Sequence, residues 1–267
     1  MSPRGGREPL TRSDVARLQT RPGGGRRIVI SYLSIGEAES YRWYWRDSWA
    51  GANMPDWQVA ENCAWPKAHM VRFWHNGWKD IIYRGASSYL QRIVDAGFDG
   101  VYLDRVDIYG FQTKERPSGR ADMIDFVAEL AAAARKLRPG FLVIPQNADE
   151  LLADRRYRRV IDGLGREDLI NGEHATGGRN KPVEIGTALA RLAKLQRDYK
   201  PVFVVEYLAT QPAIATAERE IRALGMVPTF AHRSLDGDDP TRPRPDEQSQ
   251  IGTPEWTAAN CRDKPHW

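Results

Sequence analysis

The chain has 267 residues, 41% of them hydrophobic, a formal net charge of +4 and a pI near 9.1. That length accommodates one large α/β domain with a full core, or two small domains, and the apolar content argues against general disorder. No apolar run approaches the ~18–20 residues of a membrane span. The arginines are scattered and their densest groups, RRYRR at 155–159 and TRPRP at 241–245, are short, so neither a membrane nor a nucleic acid is expected as a partner.

Residues 1–27 read as a basic leader, disordered over 1–10 and without the apolar core of a signal peptide, that includes a possible first helix, TRSDVARLQT, capped by Thr11 or Ser13. After the turn RPGGGRR, the run IVISYLSIG is a buried strand delivered to a loop. A long aromatic loop follows, and HMVRFW is the next strand. The spacing of Ile81, Ile82, Tyr89, Leu90, Ile93 and Val94 predicts a helix over 77–97, stopped at Gly97. FDGVYLD is a strand, GRADMIDFVAELAAAARKLRPG a helix, FLVIPQN a strand and DELLADRRYR a short helix. VIDGLGRED is a strand opening into a loop, PVEIGTALARLAKLQRDY a helix and PVFVVEYL a strand. AIATAEREIRALG is the last helix and MVPTFAH the last strand. Residues 235–267, rich in Asp, Pro and Arg, read as a mobile tail.

The candidate strands are therefore 28–33, 69–74, 99–104, 141–145, 159–164, 201–206 and 226–231. Strand and helix alternate with short turns from 28 to 232, the mark of a parallel sheet with helices outside. The predicted fold is a (β/α)8 TIM-type barrel over 28–234, its first strand missing or irregular at the N-terminus. A gene start upstream of Met1, with a lost strand and leader, is the favoured explanation. A doubly wound sheet is the alternative, but no GxGxxG turn follows the first strand. Cys63 and Cys261, almost 200 residues apart, form no metal pattern and read as two unremarkable thiols, a disulfide between them being the unsupported alternative.

In such barrels the chemistry sits where strands end. Those ends carry Ser34 and Glu37, Trp74, Asp104 and Asp107, Gln146 and Asn147, Glu167 and Asp168, Glu206 and Tyr207, and His232. Several carboxylates converging on one mouth suit general acid/base work. The five histidines show no HExxH or HxH spacing, and no P-loop or GxSxG is present, so no metal or cofactor is expected. Each choice has a plainer reading. Asp104 could cap a helix or pair with Arg105, and Asp107 could cap, bind substrate or tune Asp104. Glu167 could be a solvated loop residue, and Glu37 and Glu39 could cap a helix. Glu206 ends the apolar run VFVVE, where an unpaired charge costs several kcal/mol, so it requires a partner or a role. Trp43, Tyr44, Trp45, Trp49, Trp57 and Trp65 crowd the loop after the first strand, with Trp74 and Trp78 just beyond. Flat rings suit pyranose faces, though at least half are expected to pack the loop.

The blocks YLSIGEAESYRWYW, GFDGVYLDRVDIY, VIPQNADELL, IDGLGREDL and VVEYL, in this order from about 28 to 232, resemble glycoside hydrolase family 114. The resemblance implies a (β/α)8 barrel that cuts α-1,4-linked galactosamine polymers of exopolysaccharide, in secreted or surface-exposed proteins. It also implies that the Asp of YLDR and the Glu of GREDL, here Asp104 and Glu167, are the catalytic pair. We assign Asp104 as nucleophile and Glu167 as acid/base; a separation of ~5–5.5 Å suits retention and ~6.5–9.5 Å inversion. Tyr32, Glu37, Trp74, Asp107, Gln146, Asn147, Glu206 and Tyr207 are the expected substrate contacts, the acidic ones suited to a cationic amino sugar. The partner is then a polysaccharide and the protein a monomer. A non-catalytic glycan-binding barrel, or a glycosidase for another amino sugar, is the alternative.

Overall fold

The computed structural model describes residues 9–49, 51–233, 240–241, 251–262 and 264–265. They divide into two compact units, one of Met1–Ala60, Lys67–Pro145 and Arg159–Ile161, the other of Glu61–Pro66, Gln146–Arg158 and Asp162–Trp267.

The first unit opens with α1 (Arg12–Gln19), whose cap is Thr11 in a capping box with Asp14. β1 (Ile30–Ser34) follows, then β2 (Glu37–Glu39), β3 (Gln58–Glu61) and β4 (Ala68–Val71). β4 lies between β2 and β3 and runs antiparallel to β2. This corrects two expectations: the aromatic stretch holds two strands, and 69–74 is no member of the parallel series. The apolar run HMVRFW predicts a buried strand but carries no information about which neighbour it pairs with. The helix predicted over 77–97 is two pieces, α2 (Asn76–Lys79) continuing as a wide turn Asp80–Arg84, then α3 (Tyr89–Asp95). The break falls at Gly85, whose N–H closes on the Asp80 carbonyl, and Ser88 caps the second piece. β5 (Gly100–Asp104), α4 (Gly119–Leu137) and β6 (Leu142–Pro145) complete the unit.

β1, β5 and β6 form a parallel sheet in that order, with Ser34 level with Asp104 and Leu103 level with Pro145. Leu33, Val101, Leu103 and Val143 are fully buried. α4 supplies the buried stripe Met123, Phe126, Val127, Leu130 and Ala134, whose spacing of three and four is one helix face.

Beyond β6, the helix predicted over 149–158 splits at Asp154 into a 3₁₀ turn, Asp149–Ala153, and α5 (Arg155–Val160). The strand predicted over 159–164 begins only at its last residue: β7 is Leu164–Glu167. The apolar Val160 and Ile161 that suggested strand end and follow a helix instead. Then come α6 (Pro182–Arg197), β8 (Val202–Glu206), α7 (Gln211–Ala223), β9 (Val227–Phe230) and α8 (Pro254–Asn260). β7, β8 and β9 form a second parallel sheet, and Leu192, Leu195 and Ile221 are buried from its helices. The fold is thus α/β, built on parallel sheets with connecting helices.

Of the tail predicted over 235–267, only 240–241, 251–262 and 264–265 are among the described residues, and the stretch from 251 departs from the prediction. α8 is a helix where a mobile tail is expected, and Cys261 behind it is joined to Cys63 in a disulfide with a Cα–Cα distance of 5.7 Å. The two separate thiols of the sequence reading are one bond.

Candidate active site

The polar groups at the sheet ends fall into two clusters, one in each unit. In the first, the parallel register of β1 and β5 does the positioning. Tyr32 lies level with Tyr102, and Asp104 is two residues further on the same face. The Tyr32 hydroxyl therefore reaches Asp104 and donates to its Oδ2 at 2.5 Å. Arg105 turns the chain out of the strand with a left-handed φ of 59°, and its own N–H donates to Asp104 Oδ1 at 2.7 Å. The Arg105 guanidinium faces Glu37 at 3.5 Å and Asp107 at 4.0 Å. Burial opposes its charge, but Asp107, Glu37 and Asp104 together raise its pKa. Glu37 is itself buried. Its turn lies against Arg105 because residue 36 is glycine: a Cβ there would overlap the Arg105 carbonyl oxygen and stand 2.8 Å from Ile108 Cγ2.

Residues outside the expected set of substrate contacts surround this cluster. Buried Glu39 accepts from the Tyr41 hydroxyl and, at 2.6 Å, from Arg42 Nε. The Arg42 guanidinium lies 5.6 Å from the Tyr32 ring centre and 5.0 Å from that of Tyr41. Burial, then the Asp104 and Glu39 carboxylates, hold the Tyr32 phenol well above its ordinary pKa. Trp74 belongs to another group: its ring packs edge-on against Phe73, with Arg116 over it. Most of the other tryptophans are packing, as expected. Trp45, Trp49, Trp57 and Trp78 form a chain of ring contacts with centres 5.0–5.5 Å apart, and Trp78 Nε1 donates to the Ile35 carbonyl at 2.8 Å.

The second cluster is built around Glu167 at the end of β7. Gln146 pairs with Gly165 in a parallel bridge, and Asn147 follows in a left-handed conformation, its N–H on the Gly165 carbonyl at 2.7 Å. Both side chains thereby donate to Glu167 Oε2, Asn147 at 3.1 Å. Asn147 Oδ1 accepts the Glu167 N–H at 3.0 Å and Arg166 Nη1 at 3.3 Å. The Tyr207 hydroxyl donates to Oε1. Burial and this carboxylate raise the Tyr207 pKa, and the Arg233 guanidinium covers its ring at 4.2 Å. Arg233 also donates to both oxygens of Asp168, at 3.1 and 2.9 Å.

Glu206 has the partners its burial demands. It is fully buried, accepting from the backbone N–H of Ile170 at 2.7 Å and of Asn171 at 3.0 Å. Its carboxylate anchors the loop after β7, and both oxygens are engaged there. Next to this loop is a pocket of about 300 Å³, lined among others by Asp149, Arg166, Glu173, His174, Asn180 and Arg191. The structure thus gathers Tyr32, Glu37, Asp104 and Asp107 in one cluster and Gln146, Asn147, Glu167 and Tyr207 in the other. Two carboxylates, each fixed at a strand end by neutral donors, are equipped for proton transfer and nucleophilic attack.

The profile of Glycoside-hydrolase family GH114 matches residues 11–249. The chain is a member of glycoside hydrolase family 114. Its family is one of glycosidases. It is 39% identical over 222 residues to an uncharacterized protein of Deinococcus radiodurans, covering 82% of this chain and 68% of that one. Uncharacterized proteins of Thermotoga maritima (36% identity) and Methanocaldococcus jannaschii (34%) match 68% and 79% of this chain. The family 114 chain spans 55% and 59% of those two relatives' lengths. Its fold is similar to that of the glycoside hydrolase domain of PelA from Pseudomonas aeruginosa, with a TM-score of 0.65, 19% identity and 85% of each chain covered.

Proposed function

We propose that this glycosidase hydrolyses α-1,4-linked, galactosamine-containing polysaccharide on a (β/α)8 barrel, with Asp104 as nucleophile and Glu167 as general acid/base. The observation that carries the reading is the way both acids are held. Tyr32 and the Arg105 N–H fix Asp104, while Gln146, Asn147 and Tyr207 fix both oxygens of Glu167. Each side chain is held in one orientation before substrate arrives, as attack on an anomeric carbon and protonation of a leaving oxygen require. Asp107, beside Asp104 through Arg105, gives that strand end a carboxylate suited to the ammonium group of an amino sugar, with Glu37 buried behind it against Arg105. Trp74, half exposed, is proposed as a stacking surface for a sugar ring. Glu206 contributes by anchoring a loop instead of touching sugar. The protein is proposed to act as a monomer, secreted or at the cell surface; the Cys63–Cys261 bond supports an oxidising location.

The test is turnover of partially deacetylated α-1,4-galactosaminoglycan by wild type, Asp104→Asn and Glu167→Gln. Each variant is expected to lose ~10²–10⁴-fold. With an activated leaving group, Glu167→Gln should recover its first step and Asp104→Asn should not. The product should form with retained anomeric configuration, read by NMR. Full turnover by both variants would remove the site.

A further inference from the structure

Between β7 and α6 the chain makes a small hairpin. Its arms meet at an antiparallel bridge between Asn171 and Arg179, and the Gly172 N–H donates to the Gly178 carbonyl at 2.8 Å. The base is fixed from two sides. Glu206 accepts from Ile170 and Asn171, and Asn180 Nδ2 donates at 2.7 Å to the carbonyl of Asp168, the residue after Glu167. Glu173, His174 and Asn180 of this segment line the pocket described above. The tip is held by α8: Thr176 donates its N–H to Glu255 Oε1 at 2.8 Å and its hydroxyl to Oε2 at 2.7 Å.

α8 has only seven residues, too few to persist as a helix without anchors. Thr253 caps it, Gly252 passes so close to the Trp65 ring that a Cβ would stand 2.5 Å from it, and Cys261 directly behind it is bonded to Cys63. The Cys63 N–H also donates to the Pro265 carbonyl at 2.8 Å. One covalent bond therefore secures the helix that secures the hairpin.

We propose that Glu255, kept in place by the Cys63–Cys261 bond, is a positioning residue for the hairpin that follows Glu167, so that turnover depends on this bond being oxidised. The inference rests on Glu167 being catalytic. Opening the bond requires a dithiol. Its thiolate attacks the Cys63 sulfur, since Cys63 is half-buried and Cys261 fully buried; the Cys63–Cys261 bond breaks and Cys261 leaves as thiolate. The second reductant thiolate then displaces Cys63 from the mixed disulfide. Two electrons and two protons pass to the protein, and the reductant ends as a cyclic disulfide.

The experiment measures amide exchange and turnover on the full chain with and without excess dithiothreitol, thiol titration confirming complete reduction. Reduction is expected to speed exchange over 171–180 about tenfold, the loss of hydrogen bonds to a charged acceptor, while the amides of β8 keep their protection. Turnover should fall by about tenfold or more, because small displacements near reacting groups are costly. Glu255→Ala should reproduce both effects with the bond intact and respond no further to reductant; Glu255→Gln, which keeps an acceptor for Thr176, should restore most of the loss. If reduction unfolds the whole chain, Glu255→Ala decides alone. Unchanged hairpin exchange in Glu255→Ala overturns the proposal. Full turnover by Glu167→Gln instead overturns the catalytic reading and leaves the exchange result standing.

Discussion

Glu206 illustrates at a single residue how burial is made tolerable. The carboxylate has no solvent contact, and burial pushes its pKa up to about 7, with the Asp168 charge adding to the rise and the N–H groups of Ile170 and Asn171 opposing it. Against an ordinary value of 4.5, the folded chain then holds a proton that the unfolded chain releases. Stability from this group is present below about pH 4.5 and is lost as pH rises towards about 7. Glu206→Gln cannot ionise. Its stability relative to wild type should increase across that window by up to ~3 kcal/mol, measured by urea denaturation near pH 5 and near pH 8. Loss of one N–H acceptor in the variant adds an offset that does not vary with pH. A difference between the two proteins that stays constant with pH would show that Glu206 does not titrate there. The requirement for a partner was legible in VFVVE; its identity was not, because the partners are backbone groups some 36 residues earlier in the chain.

Among the elements, the turn between β1 and β2 is the most constrained. Gly36 is the position at which the turn meets the Arg105 carbonyl and Ile108. Gly36→Ala should destabilise the protein by roughly 1–3 kcal/mol through overpacking and push Glu37 away from Arg105. Thermal unfolding measures the first effect, and an unchanged midpoint would mean that the turn has room to shift. The elements that the sequence reveals well are those with a long one-sided pattern. α4 is an example, and β1, β5, β6, β8 and β9 fall within two residues of their predicted spans. The failures are at interruptions. Gly85 and Asp154 each split an apolar periodicity that continues across them, so spacing alone joins two pieces into one.

At the scale of the whole molecule, the Cys63–Cys261 bond spans 198 residues. Closing so long a loop restricts the unfolded chain and contributes on the order of 5 kcal/mol in the chain-entropy account. Unfolding without reductant should reveal no free thiol, and complete reduction should lower the denaturation midpoint; two titratable thiols in the untreated protein would contradict the bond. The overall charge of +4 is equally a poor guide to local chemistry. Around Asp104 the carboxylates Glu37, Glu39 and Asp107 are interleaved with Arg42 and Arg105, so what a ligand meets is set by the cluster.

The order of residues alone determined the α/β class, five of the parallel strands and the placing of Asp104 at a strand end, because apolar runs and their punctuation are local properties of the chain. Ordered motif blocks added the family. Tertiary structure alone decided that β4 turns back against β2, that Glu39 and Arg42 flank Tyr32, and that Gln146, Asn147 and Tyr207 converge on Glu167. It also decided that two distant cysteines meet. Apart from the Tyr32 group, which closes across a turn of the chain, each of these is a contact between segments well separated in sequence, and no local pattern of hydrophobicity or charge encodes which segments will touch.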